Sequence, residues 1–191
     1  VHCMIRREIL VSKAVLPILA TTLDEVVKMV NYVKSNALRS TVFCEAMDSD
    51  YMNLLYHTEV RWLSKGKVLN RFILIKNEVI AFINSEEIHF PFLVNDVWWL
   101  RVAFLSDIFD KLNSLNLNLQ GVQENILTIS SKLKEFTEKL NLWNLNIANE
   151  NFASFPTVEE NPLKSLIKEE VEETLTLLSA FLRNIFPTWT F

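Results

Sequence analysis

The sequence predicts a mainly α-helical fold, and two observations carry that prediction. Only two glycines and five prolines occur among 191 residues, which favours long helices joined by few turns. Apolar residues recur three and four positions apart over much of the chain, which is the spacing of one helix face. Half of the residues are hydrophobic, so the chain contains enough apolar material for a sizeable core.

The first half of the chain contains helix signals and one strand signal. Thr22 and Glu25 have the spacing of a capping box, which predicts a helix from Thr22 to about residue 37. Ser64 is a good N-cap for a helix over residues 64–84. The apolar positions of that helix keep helical spacing: Val68, Phe72, Ile75, Val79 and Phe82. Shorter helices are expected at residues 2–15, ending near Pro17, and at residues 40–47. Residues 54–60 are apolar, aromatic and β-branched, and they form the one predicted strand.

A heptad-type hydrophobic repeat dominates the second half. Its members alternate three and four positions apart: Leu105, Ile108, Leu112, Leu115, Leu119, Val122, Ile126, Ile129, Leu133, Phe136, Leu140, Trp143 and Ile147. This pattern is the seam of a coiled coil or of a helical bundle. One continuous helix would extend roughly 64 Å, and Gly121 is expected to bend it or divide it in two. The seam predicts packing between helices of the chain. A homodimer interface is the more specific alternative.

The C-terminal part is predicted to be a loop at residues 149–162 followed by a helix at residues 163–186. The apolar face of this helix is expected to contain Leu166, Ile167, Val171, Leu175, Leu178 and Phe181. Its acidic residues are expected to be solvated: Glu169, Glu170, Glu172 and Glu173.

Charge and cysteine content exclude several classes of protein. The net charge of -4 gives no global attraction to DNA, so any nucleic-acid contact must be local. Cys3 and Cys44 give no disulfide framework and suit a reducing compartment. No signal peptide is expected, and no uncharged run approaches the length of a membrane helix. The sequence therefore predicts neither membrane association nor a small-molecule substrate.

Metal and cofactor sites are also not expected. The candidate zinc ligands match no finger spacing: His2, Cys3, Cys44 and His57. Asp48, Asp50 and Glu59 could suggest a carboxylate cluster for two-metal chemistry, but the two aspartates lie in a predicted loop.

Four cations gather where the predicted strand meets the helix at residues 64–84, and this basic corner is the candidate nucleic-acid site. A phosphate backbone would be attracted both to these cations and to the amides of the helix start. An aromatic side chain at the turn could stack on a displaced base, or it could seal the core at the corner. The cations could equally form an ordinary solvated helix start. The candidate residues are Arg61, Trp62, Ser64, Lys65, Lys67 and Arg71.

Several blocks of the chain resemble one known family. TEVRWLSKGKVL at residues 58–69 is similar to the block TEVRWLSRGKVL of hAT-superfamily transposases. Further similar blocks follow in family order: HCMIRRE (2–8), Trp99-Leu100, LSDIFDKLN (105–113), LNLQG (117–121), NILT (125–128) and FASFPT (152–157). The chain is identified as a member of the domesticated group that includes zinc-finger BED domain proteins and general transcription factor II-I repeat domain-containing protein 2.

This resemblance implies a fragment of an RNase H-like core joined to the long-helix insertion domain of these transposases. Residues 1–90 would be the partial core segment and residues 91–191 the insertion-domain segment. The family's catalytic acids would fall before Val1 and after Phe191, so no catalytic residue is placed and the chain is predicted not to be an enzyme. The family pattern C-x-x-H is altered at Arg6, which indicates relaxed selection on chemistry or a decayed copy. The resemblance also implies a nuclear location.

Two classes of function follow. The first is a catalytically inactive, transposase-derived fragment that retains weak, non-specific DNA contact or self-association through the heptad-spaced helix. The second is a helical module for protein–protein interaction, in which the basic corner is incidental. A truncated piece of a longer, active transposase-like protein is a third alternative.

Overall fold

A computed structural model of the chain describes residues 17–34, 62–85, 90–120 and 126–185. The helices are α1 (Pro17–Lys34), α2 (Trp62–Leu74), α3 (Lys76–Ser85), α4 (Asp96–Leu119), α5 (Ile126–Ala148), α6 (Pro156–Glu159) and α7 (Lys168–Ile185), with 3-10 turns at Pro91–Val94 and Lys164–Ile167. The prediction of a mainly α fold is confirmed, and the described residues contain no strand. The predicted strand at 54–60 and the predicted helices at 2–15 and 40–47 lie outside the described residues.

Helix α4 is the centre of the fold because its N-terminal half is buried on every side. From Trp98 to Phe109 all residues except Arg101 are buried, which is typical of a helix surrounded by other elements. Asn95 fixes its start, since its side-chain oxygen accepts hydrogen bonds from the backbone N–H of Val97 at 2.9 Å and of Trp98 at 3.3 Å.

Two tryptophans of α4 hold the preceding elements in place. The indole Nε1 of Trp98 donates to Glu25 Oε2 of α1 at 2.7 Å, and that of Trp99 donates to the Leu93 carbonyl oxygen at 2.8 Å. The ring of Phe72 from α2 stacks on Trp99 with centroids 5.5 Å apart. These rings therefore combine a large buried apolar area with satisfied polar groups.

Helix α2 approaches α4 closely at a glycine. A Cβ atom placed on Gly66 would lie 2.7 Å from Asn113 Nδ2 and 3.3 Å from Phe109 Cβ. The contacts of Gly66 with Phe109 and of Phe72 with Trp99 make the two helices antiparallel. A Cβ atom at position 66 would displace the side-chain amide of Asn113, and a larger side chain would also meet Phe109, so glycine permits this close approach.

The heptad-type repeat is confirmed as a packing seam, but it does not form one long helix. Helices α4 and α5 are separate and antiparallel, with Lys132 Nζ donating to the Asn118 carbonyl oxygen at 2.7 Å. The described seam residues are buried or partly buried within the chain's own core. Residue Gly121 lies between the two helices, outside the described residues.

Helix α7 completes the bundle by packing antiparallel on α5. Asn144 Nδ2 donates to Thr176 Oγ1 at 3.0 Å, and Ser179 Oγ donates to Asn141 Oδ1 at 2.9 Å. Its apolar side is buried, and Arg101 of α4 reaches it with a two-point ion pair to Glu170, at 2.8 Å and 2.6 Å.

Several helix boundaries differ from the predicted ones. Helix α1 begins at Pro17, and Thr22 is a buried interior residue whose hydroxyl donates to the Ile18 carbonyl oxygen at 2.9 Å, so it is not an N-cap. Proline at the first helical position is favourable because its missing N–H has no helical partner there. Ser64 is the third residue of α2 and therefore not its N-cap. The predicted helix 64–84 is interrupted at Ile75, although its apolar face is buried as predicted.

Predictions for the C-terminal helix also need correction. Leu166 is 58% exposed rather than part of the apolar face, because it lies in a 3-10 turn whose geometry breaks the α-helical register. Leu182 is buried in the core instead. Glu170 is half-buried and paired with Arg101 rather than solvated. The predicted loop at 149–162 contains the short helix α6.

Residues from both predicted segments contribute to one hydrophobic cluster, which extends from Leu19 of α1 to Leu182 of α7. The division near residue 90 stays a prediction. Among the described residues, no helix is long and apolar enough to cross a membrane.

Replacing Gly66 by valine should lower the free energy of unfolding by about 1–3 kcal/mol, because the branched side chain must displace Asn113 and Phe109. Asn70→Val, at an exposed position of the same helix, is the control and should change stability little. Denaturant unfolding followed by circular dichroism measures both. Gly66→Ala should be better tolerated when combined with Asn113→Ala, which removes the nearest contact. Equal effects of the two valine substitutions would contradict the close approach.

Candidate functional site

The basic corner predicted from the sequence is only partly described. Arg61 lies outside the described residues. Trp62, Ser64, Lys65 and Lys67 belong to the first turns of α2, but their side chains lie outside the described part of the chain.

The described member of the basic corner, Arg71, is half-buried in the last turn of α2. The backbone carbonyl oxygen of Arg71 accepts a hydrogen bond from the N–H of Ile75 at 3.2 Å, so the helical hydrogen bonds continue from α2 towards α3.

The start of α2 lies beside the C-terminal half of α4. Gly66, which separates Lys65 from Lys67 in the sequence, packs against Phe109 and Asn113. The carboxylate of Asp110 is close as well, with Oδ1 3.5 Å from the position of a Cβ on Gly66. An acidic side chain thus stands next to the basic corner and reduces its local positive potential.

A buried carboxylate that the sequence analysis missed connects α4 to α6. Asp107 is 6% exposed. Its Oδ1 accepts from Thr157 Oγ1 at 2.6 Å, and its Oδ2 accepts from the backbone N–H of Thr157 at 3.0 Å and of Val158 at 3.2 Å. Asp107 therefore supplies the N-terminal cap of α6 from another helix, a role that Phe155 at the N-cap position cannot fill.

Burial raises the pKa of Asp107 above its ordinary value of 3.8, because the ionised form loses hydration. The hydrogen bonds from Thr157 and Val158 and the nearby ammonium of Lys111 act in the opposite direction without cancelling the effect. The carboxylate is held by donors on both oxygens and serves as a structural cap.

Lys111, one turn after Asp107, lies over aromatic rings. Its Nζ is 4.8 Å from the ring centroid of Trp143 and 5.2 Å from that of Phe155. Burial lowers the pKa of Lys111, while Asp107 and Asp110 act to raise it. Such a cation–π arrangement orients the ammonium at the edge of the aromatic cluster.

This lysine borders an open groove between α4 and α5, with a volume of about 460 Å³, here called the α4–α5 groove. Leu115, Phe136 and Trp143 form its apolar wall. Three cations line it: Lys111, Lys132 and Lys139. Glu135 also lines the groove and pairs with Lys139 at 2.6 Å, at an exposed position where such a pair contributes little stability.

The blocks that carried the family resemblance meet in this region. Residues 58–69 contribute Gly66, residues 105–113 contribute Asp107 and Lys111, and residues 152–157 contribute Phe155 and Thr157. A sequence signal for the Asp107 cap exists: Pro156 and Thr157 mark a helix start whose preceding Phe155 has no capping side chain. Nothing in the sequence indicates that the missing acceptor is 50 residues away.

No group of three or more potential metal ligands occurs within the described ranges. The residues considered as ligands from the sequence lie outside those ranges: His2, Cys3, Cys44, Asp48, Asp50, His57 and Glu59.

Comparison with known proteins identifies the family. The model of the family described as "FAM200/GTF2IRD2 helical domain" matches residues 2–148. The chain belongs to the FAM200/GTF2IRD2-like family. The resemblance to the group of general transcription factor II-I repeat domain-containing protein 2 is thereby confirmed.

Two relatives carry that name. The chain is 35% identical over 173 residues to general transcription factor II-I repeat domain-containing protein 2 of Mus musculus, covering 89% of the chain and 18% of the relative. It is 36% identical over 148 residues to the Bos taurus protein of the same name, covering 76% of the chain and 15% of the relative. The chain thus spans less than a fifth of these relatives. No solved structure matches it.

Replacing Asp107 by alanine should lower the free energy of unfolding by about 2–4 kcal/mol, because the amides of Thr157 and Val158 lose their acceptor. Asp24→Ala, at an exposed position of α1, is the matched control and should have little effect. Chemical denaturation compares the two variants. Similar losses of stability would show that the cap is not a major contact.

The stability difference between the wild type and Asp107→Asn should depend on pH. A carboxyl group whose pKa is raised by folding stabilises the native state fully below its ordinary value of 3.8, and this contribution is lost as pH rises through the raised pKa. Asparagine does not titrate. The wild type should therefore lose stability relative to Asp107→Asn as pH increases through that window. A pH-independent difference, or one of opposite sign, would show that burial does not dominate at Asp107.

Proposed function

We propose that this chain is a helical scaffold domain of a transposase-derived protein, that it has no enzymatic activity of its own, and that it works in the nucleus. The membership of the FAM200/GTF2IRD2-like family supports the origin, and the transcription-factor name of the relatives supports the location. The domain would position other parts of a longer protein, because it covers only a small share of each relative.

One observation carries the scaffold role. Residues from three of the resembling blocks are engaged in packing and capping. Gly66 permits a close helix contact, Asp107 caps α6, and Phe155 and Trp143 form an edge-to-face ring pair at 5.9 Å. A carboxylate whose oxygens already accept three hydrogen bonds is suited to holding two elements together rather than to binding a metal ion.

A relation to the RNase H-like core remains part of this proposal. It rests on the similarity of residues 58–69 to the transposase block and on the strand predicted from the sequence at residues 54–60. Helix α2 is described from Trp62 onward and begins within that block. In the longer protein, residues 54–60 would join a sheet formed with other segments.

We further propose that the basic corner makes weak, sequence-tolerant contact with DNA. Lys65 and Lys67 belong to the first turns of α2, where backbone amides also favour phosphate, and Arg61 precedes this helix in the sequence. The net charge of -4 and the nearby Asp110 oppose this contact. Binding should therefore be weak, with a dissociation constant of about 10⁻⁴ to 10⁻⁶ M, as for non-specific contacts.

Lys65→Gln combined with Lys67→Gln should reduce the salt dependence of DNA binding by about two phosphate contacts. Fluorescence anisotropy with duplex, hairpin and single-stranded oligonucleotides at about 50 and about 200 mM salt measures the effect. Trp62→Ala should remove any preference for single-stranded or distorted DNA, because stacking on a base would be lost.

The matched control is Lys28→Gln with Lys134→Gln, which removes the same charge from exposed positions of α1 and α5. Unlike the corner variant, it should keep the salt dependence of the wild type. Absence of binding at the lower salt, or equal effects of both double variants, would refute DNA contact at the corner and leave the scaffold role standing.

The second candidate function is a module for protein–protein interaction. The α4–α5 groove favours it, because it places an apolar wall and three lysines at an open surface. This candidate predicts binding at a different surface from the basic corner, so variants of the two surfaces separate the alternatives.

A further inference from the structure

Helix α6 is held on α4 by a hydroxyl group that can itself be modified. Thr157 Oγ1 donates to Asp107 Oδ1 at 2.6 Å, and the backbone N–H groups of Thr157 and Val158 donate to Asp107 Oδ2. The hydroxyl of Thr21, by contrast, donates to the carbonyl oxygen of Pro17 within its own helix. The hydroxyl of Thr157 thus joins two elements whose bonded residues are 50 positions apart in the sequence.

Acidic residues follow this hydroxyl at the second and third positions. Thr157 is succeeded by Val158, Glu159 and Glu160, and both glutamates are exposed. Pro156 precedes the threonine rather than following it, so the sequence does not suit a proline-directed kinase. A kinase with a basic substrate groove would attract the two carboxylates by charge complementarity. The segment therefore has the chemistry of a site for an acid-directed protein kinase.

A local opening of α6 is sufficient to bring this threonine to a kinase. Thr157 is half-buried, and its neighbours Pro156 and Glu160 are exposed. Helix α6 has only four residues and takes its cap from another helix. Such an element opens at a lower free energy than a long packed helix. Thr22 also has acidic residues at its second and third following positions, but it is 1% exposed inside the long helix α1.

We propose that Thr157 is a phosphorylation site and that the phosphate releases α6 from α4. In the transfer, Oγ1 bonds to the γ-phosphorus of ATP, the bond from that phosphorus to ADP breaks, and the hydroxyl proton passes to a base of the kinase. The hydroxyl donor to Asp107 is thereby lost. A phosphate with a charge of about −1.5 to −2 then lies beside the buried carboxylate, and the two like charges repel each other strongly in this poorly hydrated position.

The cations around the cap do not offset this repulsion. Lys111 is the nearby cation that acts on Asp107, and Asp110 acts on the same ammonium group. Lys164 is paired with Glu159 at 2.6 Å. One ammonium group does not neutralise two carboxylates and a phosphate, so separation of α6 from α4 lowers the electrostatic energy.

Release of α6 would open the aromatic part of the core. Phe155, directly before α6, is 0% exposed, and its ring centroid is 5.3 Å from that of Phe104 and 5.9 Å from that of Trp143. Withdrawal of this ring removes a contact with α4 and a contact with α5. Phosphorylation would therefore convert the closed domain into a form with an exposed apolar surface. The proposal is independent of DNA contact at the basic corner.

Treatment of the purified 191-residue chain with ATP and an acid-directed protein kinase, followed by peptide mass spectrometry, tests the site. We expect Thr157 to be the main phosphorylated residue and Thr157→Ala to lack that phosphate. Hydrogen exchange tests the release of α6. The backbone N–H groups of residues 157–160 should exchange at least about tenfold faster in the phosphorylated chain, and phosphatase treatment should restore the slower rate.

Variants separate charge repulsion from simple loss of the hydroxyl. Thr157→Glu should accelerate this exchange more than Thr157→Val, and adding Asp107→Asn to Thr157→Glu should restore part of the protection because asparagine is uncharged. The matched control, Thr21→Glu, adds the same charge at an exposed position of α1 and should leave α6 unchanged. Circular dichroism checks folding, and the phosphorylated wild type decides the question if a variant does not fold. Phosphate on other residues only, or unchanged exchange around phosphorylated Thr157, would overturn the proposal.

Discussion

The fold depends on the burial of the N-terminal half of one helix, α4, on every side. A helix that is apolar around its whole circumference cannot be stable at a surface, so other elements must cover each face. Helices α1 and α2 cover its N-terminal half through Trp98 and Trp99, α6 covers it through Asp107, and α7 reaches it through Arg101. Helices α1, α6 and α7 each have a polar contact with α4, through Trp98, Asp107 and Arg101, whereas the ring of Phe72 in α2 stacks on Trp99. Apolar burial thus supplies stability, and these polar contacts select one arrangement among many that would bury a similar area.

The packing around α4 gives one physical explanation for the sequence blocks that identify the family. They are far apart in the sequence, yet Gly66, Asp107 and Thr157 all lie where another helix meets α4. Gly66 permits a close backbone approach, Asp107 provides a buried cap, and Thr157 donates its hydroxyl to that cap. Most other residues could not fill these roles. Similarity in these blocks is therefore compatible with a shared scaffold, and it does not by itself require shared chemistry.

Periodicity predicted the helices and most of the core, because burial of a helix face leaves a direct trace in the sequence. The repeat from Leu105 to Ile147 correctly marked residues that pack between helices. It could not say whether the partner helix belongs to the same molecule, since the spacing is the same in both cases. Helix starts were less well predicted, as Thr22 and Ser64 show. A residue that could cap a helix can instead be buried inside it by tertiary packing, as Thr22 is. The cap of α6 comes from Asp107, which is too far away in the sequence for a local pattern to indicate.

The distribution of charge connects the two proposed contacts. Gly66 places the start of α2 against Asn113, while Lys111 and Leu115 of the same helical segment line the α4–α5 groove. The basic corner and the groove thus flank one short stretch of α4. At physiological salt the screening length is about 8 Å, so charges on neighbouring faces of one helix still interact. An anionic ligand at the corner would lower the electrostatic potential at the groove. Thermodynamic linkage requires the reverse effect to be equal, so DNA contact at the corner and binding of an anionic partner in the groove would oppose each other in one molecule.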